Sequence, residues 1–477
     1  MLFNSIVFLV FAPIFYVVYF ALRDRARLGW CILASYFFYA WWDWRFVGLL
    51  AGSTAVAFYS GQMIGRSPTL RSKTFWLWFC AVLHFGALCF YKYLNFCAGS
   101  LAEVFKFMGF DVAYSNPGII LPVGISFYTF TALSYVIDVY RNRISPPERS
   151  LLVFATYECL FPHLVAGPIL RASTFLPQLK TSHSFDWARA GRGLELIVWG
   201  YLLKLCLADN AALFVGPRFD HPEIFTSASL TLAVLAFAFQ IYGDFAGYSL
   251  IAIGLARIMG YDFGINFNKP YFAASFSEFW QRWHISLSSW IRDYIYIPLG
   301  GSRQGRLRTA FNLLVTMFLA GLWHGAGWTY VVWGLLHGLF LAVQRAASAP
   351  CQALARKLRC PTFVSVPLSV LAVFFLTCLS WVFFRAESMG SALYMLKALF
   401  RWESTAHLSF GGMRFQLLRM SVVLCIVLGV DVLSSRERVR TLYQKHPYAR
   451  SALTGLAVLT ILFTGSFGTN SFIYFQF

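Results

Sequence analysis

The sequence has 477 residues, of which 58% are hydrophobic and only 12% are charged, whereas a soluble domain carries roughly 25% charged residues. Several apolar runs reach the about 20 residues that a helix needs to cross the hydrocarbon core of a membrane. Soluble cores use apolar strands of about 4–8 residues, so these runs exclude a soluble α/β enzyme. The composition predicts an all-α, polytopic integral membrane protein that folds as one membrane domain over residues 1–477.

The formal net charge of +19 does not indicate a nucleic-acid-binding protein, because the basic residues lie in short clusters between apolar runs. Loops that carry such clusters usually face the cytoplasm. We therefore expect all of them in the cytoplasm, and we expect no nucleic acid partner. The clusters are Arg23, Arg25 and Arg27; Arg66, Arg71 and Lys73; Arg141, Arg143 and Arg149; Arg303, Arg306 and Arg308; Arg345, Arg356, Lys357 and Arg359; and Arg436, Arg438, Arg440, Lys445 and Arg450.

The apolar runs predict about 11–13 transmembrane and re-entrant helices. The first run is followed rather than preceded by positive charge and has no evident cleavage site, so we predict an uncleaved span whose N-terminus lies outside. The predicted spans lie near residues 5–22, 28–42, 46–64, 74–95, 118–138, 150–170, 193–215, 227–258, 310–344, 364–385, 415–434 and 451–466.

The run 310–344 contains no Lys, Arg, Asp or Glu over 35 residues. One straight helix of this length would measure roughly 52 Å, which exceeds the ~30 Å hydrocarbon core. We therefore predict a break at Gly325–Gly327, directly after His324. The run 227–258 is also overlong, and Gly243 and Gly247 lie near its middle.

The ten cysteines form no C-x-x-C pair, and most lie inside apolar runs. This spacing predicts neither a disulfide framework nor a zinc site. The sequence also lacks H-E-x-x-H and the phosphate-binding Walker loop. We predict no bound metal and no bound cofactor.

His324 is the first candidate for chemistry within the apolar runs, where polar groups are costly and usually line a cavity or meet a partner. It lies in Gly321-Leu-Trp-His-Gly-Ala-Gly-Trp328. An imidazole can take a proton from a hydroxyl and return it to a leaving group, and a broken helix can line a cavity at membrane depth. We group the neighbouring Trp323 with the substrate channel. The alternative is a histidine that forms an interhelical hydrogen bond, which suits the downstream His337 better.

The segment 275–294 predicts one amphipathic helix with an aromatic stripe. Glu278 and Arg282 are spaced as an i,i+4 ion pair, with Asp293 on nearly the same face. One interpretation is an interfacial helix with structural ion pairs. The other is the wall of a polar tunnel, with His284 and Arg282 near a substrate. Arg292 and Lys269 could then meet phosphates at the cytoplasmic mouth.

Asp244 is the only charged residue between Ile224 and Ala256. Gln240, Asp244 and Tyr248 share a helix face at i, i+4 and i+8. The carboxylate could orient a catalytic imidazole or pair with a structural arginine. Two more segments, 121–130 and 161–171, contain Pro and Gly beside polar residues, and their local pattern favours a structural role.

Together these segments resemble the membrane-bound O-acyltransferase family, in its bacterial branch that acylates alginate, peptidoglycan, cellulose and teichoic acid. The resemblance extends over nearly the whole chain. It rests on SYFFYAWWDW (35–44), LPVGISFYTF (121–130), FPHLVAGPILR (161–171), YGDFAGYS (242–249), FWQRWHISLSSWIRDYIYIPLGG (279–301) and GLWHGAGWTYVVWG (321–334).

The resemblance implies a ring of tilted spans around a central funnel in the bacterial inner membrane. It places the family's catalytic histidine on His324 and its second histidine motif on His284. It further implies acetyl-CoA as a cytoplasmic acyl donor, a polysaccharide or cell-wall acceptor, and a periplasmic acetyltransferase partner. Lys269, Arg292 and Arg303 are then candidates for the donor phosphates, and Asp244 and Glu278 for orienting or pairing groups.

Several alternatives stay open at this point. Transfer could be direct or could pass through an acetyl-histidine. The donor could instead be D-alanine, or another acyl group, on a carrier protein. A transporter built from broken helices would explain the buried charges, although no inverted repeat is visible in the sequence. A scaffold for a secretion complex is a further non-enzymatic possibility.

Overall fold

A computed structural model describes residues 1–110, 114–165, 167–357, 361–401, 414–434, 436–468 and 472 of the chain. Within those residues the regular structure is helical, with no β-strand, so the predicted all-α class is confirmed. Arg359, from one of the predicted basic clusters, lies outside the described residues.

Among the described residues, nine α-helices lie in the first part of the chain. They are α1 (Ile6–Ala21), α2 (Asp24–Asp43), α3 (Val47–Arg66), α4 (Leu70–Leu88), α5 (Leu94–Phe107), α6 (Ile125–Tyr140), α7 (Leu151–Cys159), α8 (Phe161–Leu164) and α9 (Ala172–Leu179).

Twelve helices follow. They are α10 (Trp187–Tyr201), α11 (Asp209–Asp220), α12 (Ser227–Met259), α13 (Phe276–Arg282), α14 (Ile285–Ile291), α15 (Arg306–His324), α16 (Trp328–Lys357), α17 (Thr362–Arg385), α18 (Met389–Phe400), α19 (Arg414–Ser434), α20 (Glu437–Lys445) and α21 (Pro447–Thr464).

Within the part of the chain that the structure describes, seven helical runs are long and apolar enough to cross a membrane by length and composition. This finding confirms a multi-pass membrane protein. The predicted spans 118–138 and 150–170 appear instead as shorter helices, because α6 begins only after Gly124 and the Leu160–Pro162 step ends α7 at Cys159. The seven runs are Asp24–Arg66, Leu70–Phe107, Trp187–Asp220, Ser227–Met259, Trp328–Cys351, Thr362–Arg385 and Leu417–Ser434.

The chain divides into two compact units, which leaves the predicted single domain a prediction. Unit 1 comprises Met1–Leu194 and Ala252–Gly264. A polar cluster ties three of its helices together: the Ser53 hydroxyl on α3 lies 2.6 Å from Glu158 Oε1 on α7 and 2.9 Å from His84 Nε2 on α4. All three residues are buried, so this cluster fixes the helices where apolar packing alone would let them slide.

Unit 2 comprises Glu195–Ile251 and Ile265–Phe477 and contains all the predicted site residues. Helix α12 is unbroken, and its residues 227–251 belong to this unit. Its Gly243 and Gly247 do not break the helix but let the backbone of the segment around residues 200–203 approach closely. A Cβ atom on Gly247 would lie 2.7 Å from the backbone oxygen of Gly200, and one on Gly243 would lie 2.9 Å from that of Leu203. The approaching segment, Leu202–Ala208, is π-helical.

Helices α15 and α16 form a tight hairpin in unit 2. The predicted break after His324 is confirmed, because α15 ends at His324 and α16 begins at Trp328. Gly321 and Gly334 face each other across the hairpin, and a Cβ atom on either would overlap the opposite backbone. The two helices therefore pack backbone to backbone directly below the break.

Candidate active site

His324 occupies the last position of α15 and is 3% exposed. The helix stops there because Gly325 adopts an extended conformation, and a side chain on Gly325 would collide with the ring of Tyr330. The glycine that sequence analysis placed at the break is thus required sterically. It holds the imidazole at a helix terminus inside the protein.

Three aromatic rings surround His324. The ring centroids of Trp323 and Trp333 lie 5.0 Å from the imidazole, and that of Phe384 lies 5.3 Å away. All three rings meet the imidazole at steep angles of 71–87°. An aromatic wall excludes water and strengthens electrostatic interactions with a bound substrate.

His284 lies at a second break. The predicted single helix over 275–294 is wrong, because α13 ends at Arg282 and α14 begins at Ile285. Between them His284 takes a left-handed conformation with φ 43° and is fully buried. Such a conformation costs of order 1–3 kcal/mol in a non-glycine residue and is typical of functional sites.

Asn266 holds this strained turn in place. Its side-chain oxygen accepts hydrogen bonds from the backbone N–H and the hydroxyl of Ser286, at 3.1 and 2.9 Å, and lies 3.2 Å from His284 Nδ1. Its backbone oxygen accepts from Ile285 at 2.9 Å, and its amide donates to Ser249 at 3.1 Å. An oxygen acceptor at Nδ1 places the ring proton there and leaves Nε2 as the basic nitrogen.

His284 lies outside the seven candidate spans. Burial lowers the pKa of its imidazole to about 3, because the charged form loses its hydration. The ring is therefore neutral at physiological pH, which is the form that can accept a proton.

Trp323 joins the two histidines. Its ring centroid lies 5.8 Å from His284 and 5.0 Å from His324. His324 and Trp323 were predicted from one motif and His284 from another, and the structure brings all three together. Phe245 of α12 closes the other face of His284 at 4.5 Å.

Asp244 lies in an ion-paired cluster. The Lys204 ammonium lies 2.6 Å from Asp244 Oδ1 and 2.8 Å from Asp209 Oδ1, and all three side chains are at most 5% exposed. The same ammonium lies over the ring of Tyr248 at 5.5 Å. Asp244 therefore pairs with a lysine, where sequence analysis considered an arginine. Gln240 is half-buried one turn earlier on α12.

Lys204, Asp209 and Asn266 were not among the residues predicted from the sequence. Lys204 had a usable signal, because it is a single charge inside the apolar run 196–208, which is the same criterion that selected Asp244. Asn266 gave no such signal, because its importance depends on a turn formed 18 residues later.

The predicted pair of Glu278 and Arg282 is confirmed, with Arg282 Nη2 2.5 Å from Glu278 Oε1. The other Glu278 oxygen accepts from the backbone N–H of Ala274 at 2.7 Å, and Ser275 caps the helix. Both residues stabilise the short helix α13. Asp293 does not extend this face and instead pairs with Arg292 at 2.9 Å.

The three candidate phosphate-binding residues lie in non-α-helical segments. Lys269 has a left-handed backbone with φ 50° and lines a small cleft with Asp431. Arg292 begins the π-helical segment after α14, and its side chain is 61% exposed. Arg303 is exposed in the turn before α15, where Gly300, Gly301 and Gly305 all have positive φ.

The site thus offers two buried imidazoles on either side of one indole. A neutral imidazole can remove a proton from a hydroxyl, and the aromatic wall can exclude water that would hydrolyse an activated acyl group. This arrangement suits group transfer to an alcohol, and the described residues hold it within unit 2 alone.

The similarities to known proteins agree with this chemistry. A sequence model of the membrane-bound O-acyltransferase family matches residues 144–383. A probable alginate O-acetylase from Pseudomonas aeruginosa is 41% identical over 405 residues, which cover 84% of this chain and 75% of that protein. A peptidoglycan O-acetyltransferase from Helicobacter pylori is 34% identical, with 84% and 80% covered.

A more distant relative is a teichoic acid D-alanyltransferase from Streptococcus thermophilus. It is 30% identical over 237 residues, which cover 47% of this chain and 57% of that protein. The family match spans about half of the chain, and the first two relatives cover 84% of it. The chain therefore belongs to the membrane-bound O-acyltransferase family and is a membrane O-acyltransferase.

Proposed function

We propose that this protein transfers an acetyl group from cytoplasmic acetyl-CoA towards the outer face of the bacterial inner membrane, for O-acetylation of an exopolysaccharide or cell-wall polymer. The observation that carries the proposal is the pair of buried histidines at two helix breaks around Trp323. The O-acetylases among the relatives support the acetyl group and the polymer acceptor.

The hairpin of α15 and α16 supports transfer across the membrane. Arg306 and Arg308 lie at the start of α15, and Arg345 follows the apolar part of α16. Both ends are basic, so both are expected at the cytoplasmic face. Since α15 has 19 residues, its length is roughly 28 Å at 1.5 Å per residue. His324, at its far end, is thus expected to be accessible to an acceptor from outside.

In the proposed reaction His324 acts as general base. It takes the proton from the acceptor hydroxyl while that oxygen attacks the thioester carbonyl carbon. The C–S bond then breaks, and the imidazolium gives the proton to the leaving thiolate, so that an ester and free CoA result. His284, with Nε2 as its basic nitrogen, is a second candidate for the proton. Lys269, Arg292 and Arg303 attract the CoA phosphates at the cytoplasmic side.

In this proposal a periplasmic acetyltransferase partner passes the acetyl group on to the final polymer acceptor. The test uses sealed inside-out vesicles that contain the full chain, with radiolabelled acetyl-CoA added outside and polymer inside, with and without the periplasmic fraction. We expect label on the polymer, and a larger amount of label when that fraction is present.

General acid–base catalysis accelerates a reaction by about 10²–10⁴-fold, so His324→Ala should lower the rate of label transfer by at least about 100-fold at equal expression. A variant with a near-normal rate would overturn the role of His324.

D-alanyl transfer from a carrier protein is the second candidate, because the Streptococcus thermophilus relative has that activity in its name. The same vesicles can be offered D-alanine loaded on its carrier in place of acetyl-CoA. If label enters the lumen only from the D-alanyl carrier, then that carrier is the donor and acetyl-CoA is not. A transporter would move its substrate without any acyl transfer.

A further inference from the structure

An apolar groove of about 670 Å³ lies between α16, α17 and α18 of unit 2. Its walls include Phe340 of α16, Phe383 of α17 and Phe400 of α18. This volume is within the range of roughly 300–1,000 Å³ that is usual for ligand sites in proteins. The groove is separate from the two histidines, and the proposed reaction does not use it.

Two cations, Lys397 and Arg401, also line this groove. They lie in the last turn of α18 and directly after it. The negative end of the helix dipole amounts to only about half a charge, so it does not balance both of them. Within the part of the chain that the structure describes, neither side chain forms an ion pair. A pair of cations at an apolar groove in a membrane protein is therefore complementary to a ligand that has an anionic group and an apolar part.

We propose that this groove binds an anionic phospholipid, with the phosphate at Lys397 and Arg401 and an acyl chain between α16, α17 and α18. Basic pockets between membrane helices recognise anionic lipid headgroups, and the apolar walls match an acyl chain rather than a free ion. The charge at the groove distinguishes this site from ordinary lipid-facing surface, such as the uncharged groove between α1 and α2.

A short series of side-chain contacts connects the groove to His324. Ser380 in its wall lies 2.9 Å from His337 Nε2. The His337 ring is 4.9 Å from Trp333, and Trp333 is 5.0 Å from His324. A bound acyl chain would thus pack against the layer of side chains that supports the proposed general base.

The test measures lipid binding to the full chain, purified in a neutral detergent, by native mass spectrometry during titration with phosphatidylglycerol. The double variant Lys397→Gln/Arg401→Gln should bind this lipid at least about tenfold more weakly, since basic residues near the membrane surface attract anionic lipid. The matched control Arg436→Gln/Arg438→Gln removes the same charge from exposed positions of another basic cluster. It should weaken binding far less, because Arg440, Lys445 and Arg450 of that cluster remain.

Two further arms separate the lipid from other occupants. Leu396→Trp fills the groove but keeps both cations, and it should also lose the lipid. Phosphatidylcholine should bind equally weakly to all variants. The proposal is overturned if Lys397→Gln/Arg401→Gln binds phosphatidylglycerol as the native chain does, or if inorganic phosphate displaces the lipid at similar concentrations. Co-purification of a protein whose removal alone exposes the groove would also overturn it.

Discussion

The turn at His284 shows how a single buried amide can define a catalytic candidate. The residue is held in a left-handed conformation that it would not adopt alone. The side chain of Asn266 compensates for the strain, because its oxygen accepts hydrogen bonds from three polar groups and its amide donates one. The same contacts place the proton on Nδ1, so Asn266 sets both the position and the tautomer of the ring.

We predict that Asn266→Ala lowers the rate of acyl transfer by about 10–100-fold, because a misplacement of about 1 Å at a reacting group can cost 10²-fold in rate. Asn266→Asp keeps the acceptor oxygen and should retain more activity. The measurement is initial transfer rate in vesicles at equal amounts of folded protein.

Ser249→Ala is the matched control, because it removes only the partner of the Asn266 amide. It should retain most of the activity. A similar loss in Ser249→Ala and Asn266→Ala would assign the effect to general packing and would contradict a role in positioning His284.

For single residues, the sequence carried a usable signal where a polar residue was isolated among apolar ones. His324 and Asp244 were found for that reason, and Lys204 satisfied the same criterion. The partners could not be predicted, because π-helical turns and broken helices alter the spacing of side chains. Asn266 lies in a loop and contacts a residue 18 positions away, which no periodic pattern indicates.

Among the helices, the hairpin of α15 and α16 places His324 through backbone contact rather than side-chain packing. Gly321→Ala would drive a methyl group into the backbone oxygen of Tyr330. The helices must then separate, and His324 lies three residues further along. Because a displacement of about 1 Å can cost 10²-fold in rate, we expect a loss of that order in acyl transfer.

Gly429→Ala serves as the control for this substitution. It lies on α19 with open space around the position of the new methyl group. Its transfer rate and its thermal stability should both match those of the native chain. Full activity in Gly321→Ala would mean that the hairpin tolerates separation and that its close packing does not position His324.

The Lys204 cluster joins the π-helical segment to α12, and it explains why a lysine is retained there at 2% exposure. Removing its charge leaves two buried carboxylates without their cation. Breaking a buried ion pair in this way costs about 3–5 kcal/mol. We therefore predict that Lys204→Met greatly lowers the melting temperature of the detergent-solubilised chain.

Asp244→Asn distinguishes the ion pair from a direct catalytic role for this carboxylate. Lys204 keeps Asp209 as a partner in this variant, so stability should fall less than in Lys204→Met, and transfer should fall in proportion to the folded fraction. Activity that disappears while stability is unchanged would instead favour the orienting role that the sequence suggested.

Helix boundaries followed from the sequence only where composition determined them. The absence of charge and the glycines at 325 and 327 predicted the hairpin correctly. The aromatic stripe at 275–294 predicted one helix, and it was wrong because periodicity does not reveal a single residue such as His284 that leaves the helical conformation. The tertiary contacts of Asn266 overrode a regular local pattern.

For the whole molecule, the placement of charge determines orientation in the membrane. The basic clusters at Arg303–Arg308 and Arg436–Arg450 are both expected at the cytoplasmic face. Helix α17 has 24 residues, so its length is roughly 36 Å, which exceeds the ~30 Å core. It begins after another basic cluster, and its far end, with the exposed Glu387 just beyond it, is therefore expected outside.

We predict opposite labelling of three exposed positions by a membrane-impermeant thiol reagent. Arg303→Cys and Arg438→Cys should react only in inside-out vesicles, and Glu387→Cys should react only in intact spheroplasts. The parent chain contains ten cysteines and supplies the background for each measurement. Labelling of Glu387→Cys from the same side as Arg438→Cys would mean that α17 does not cross the membrane. Since α17 contributes Phe384 to the wall around His324, that result would also count against the access of an acceptor from outside to this histidine.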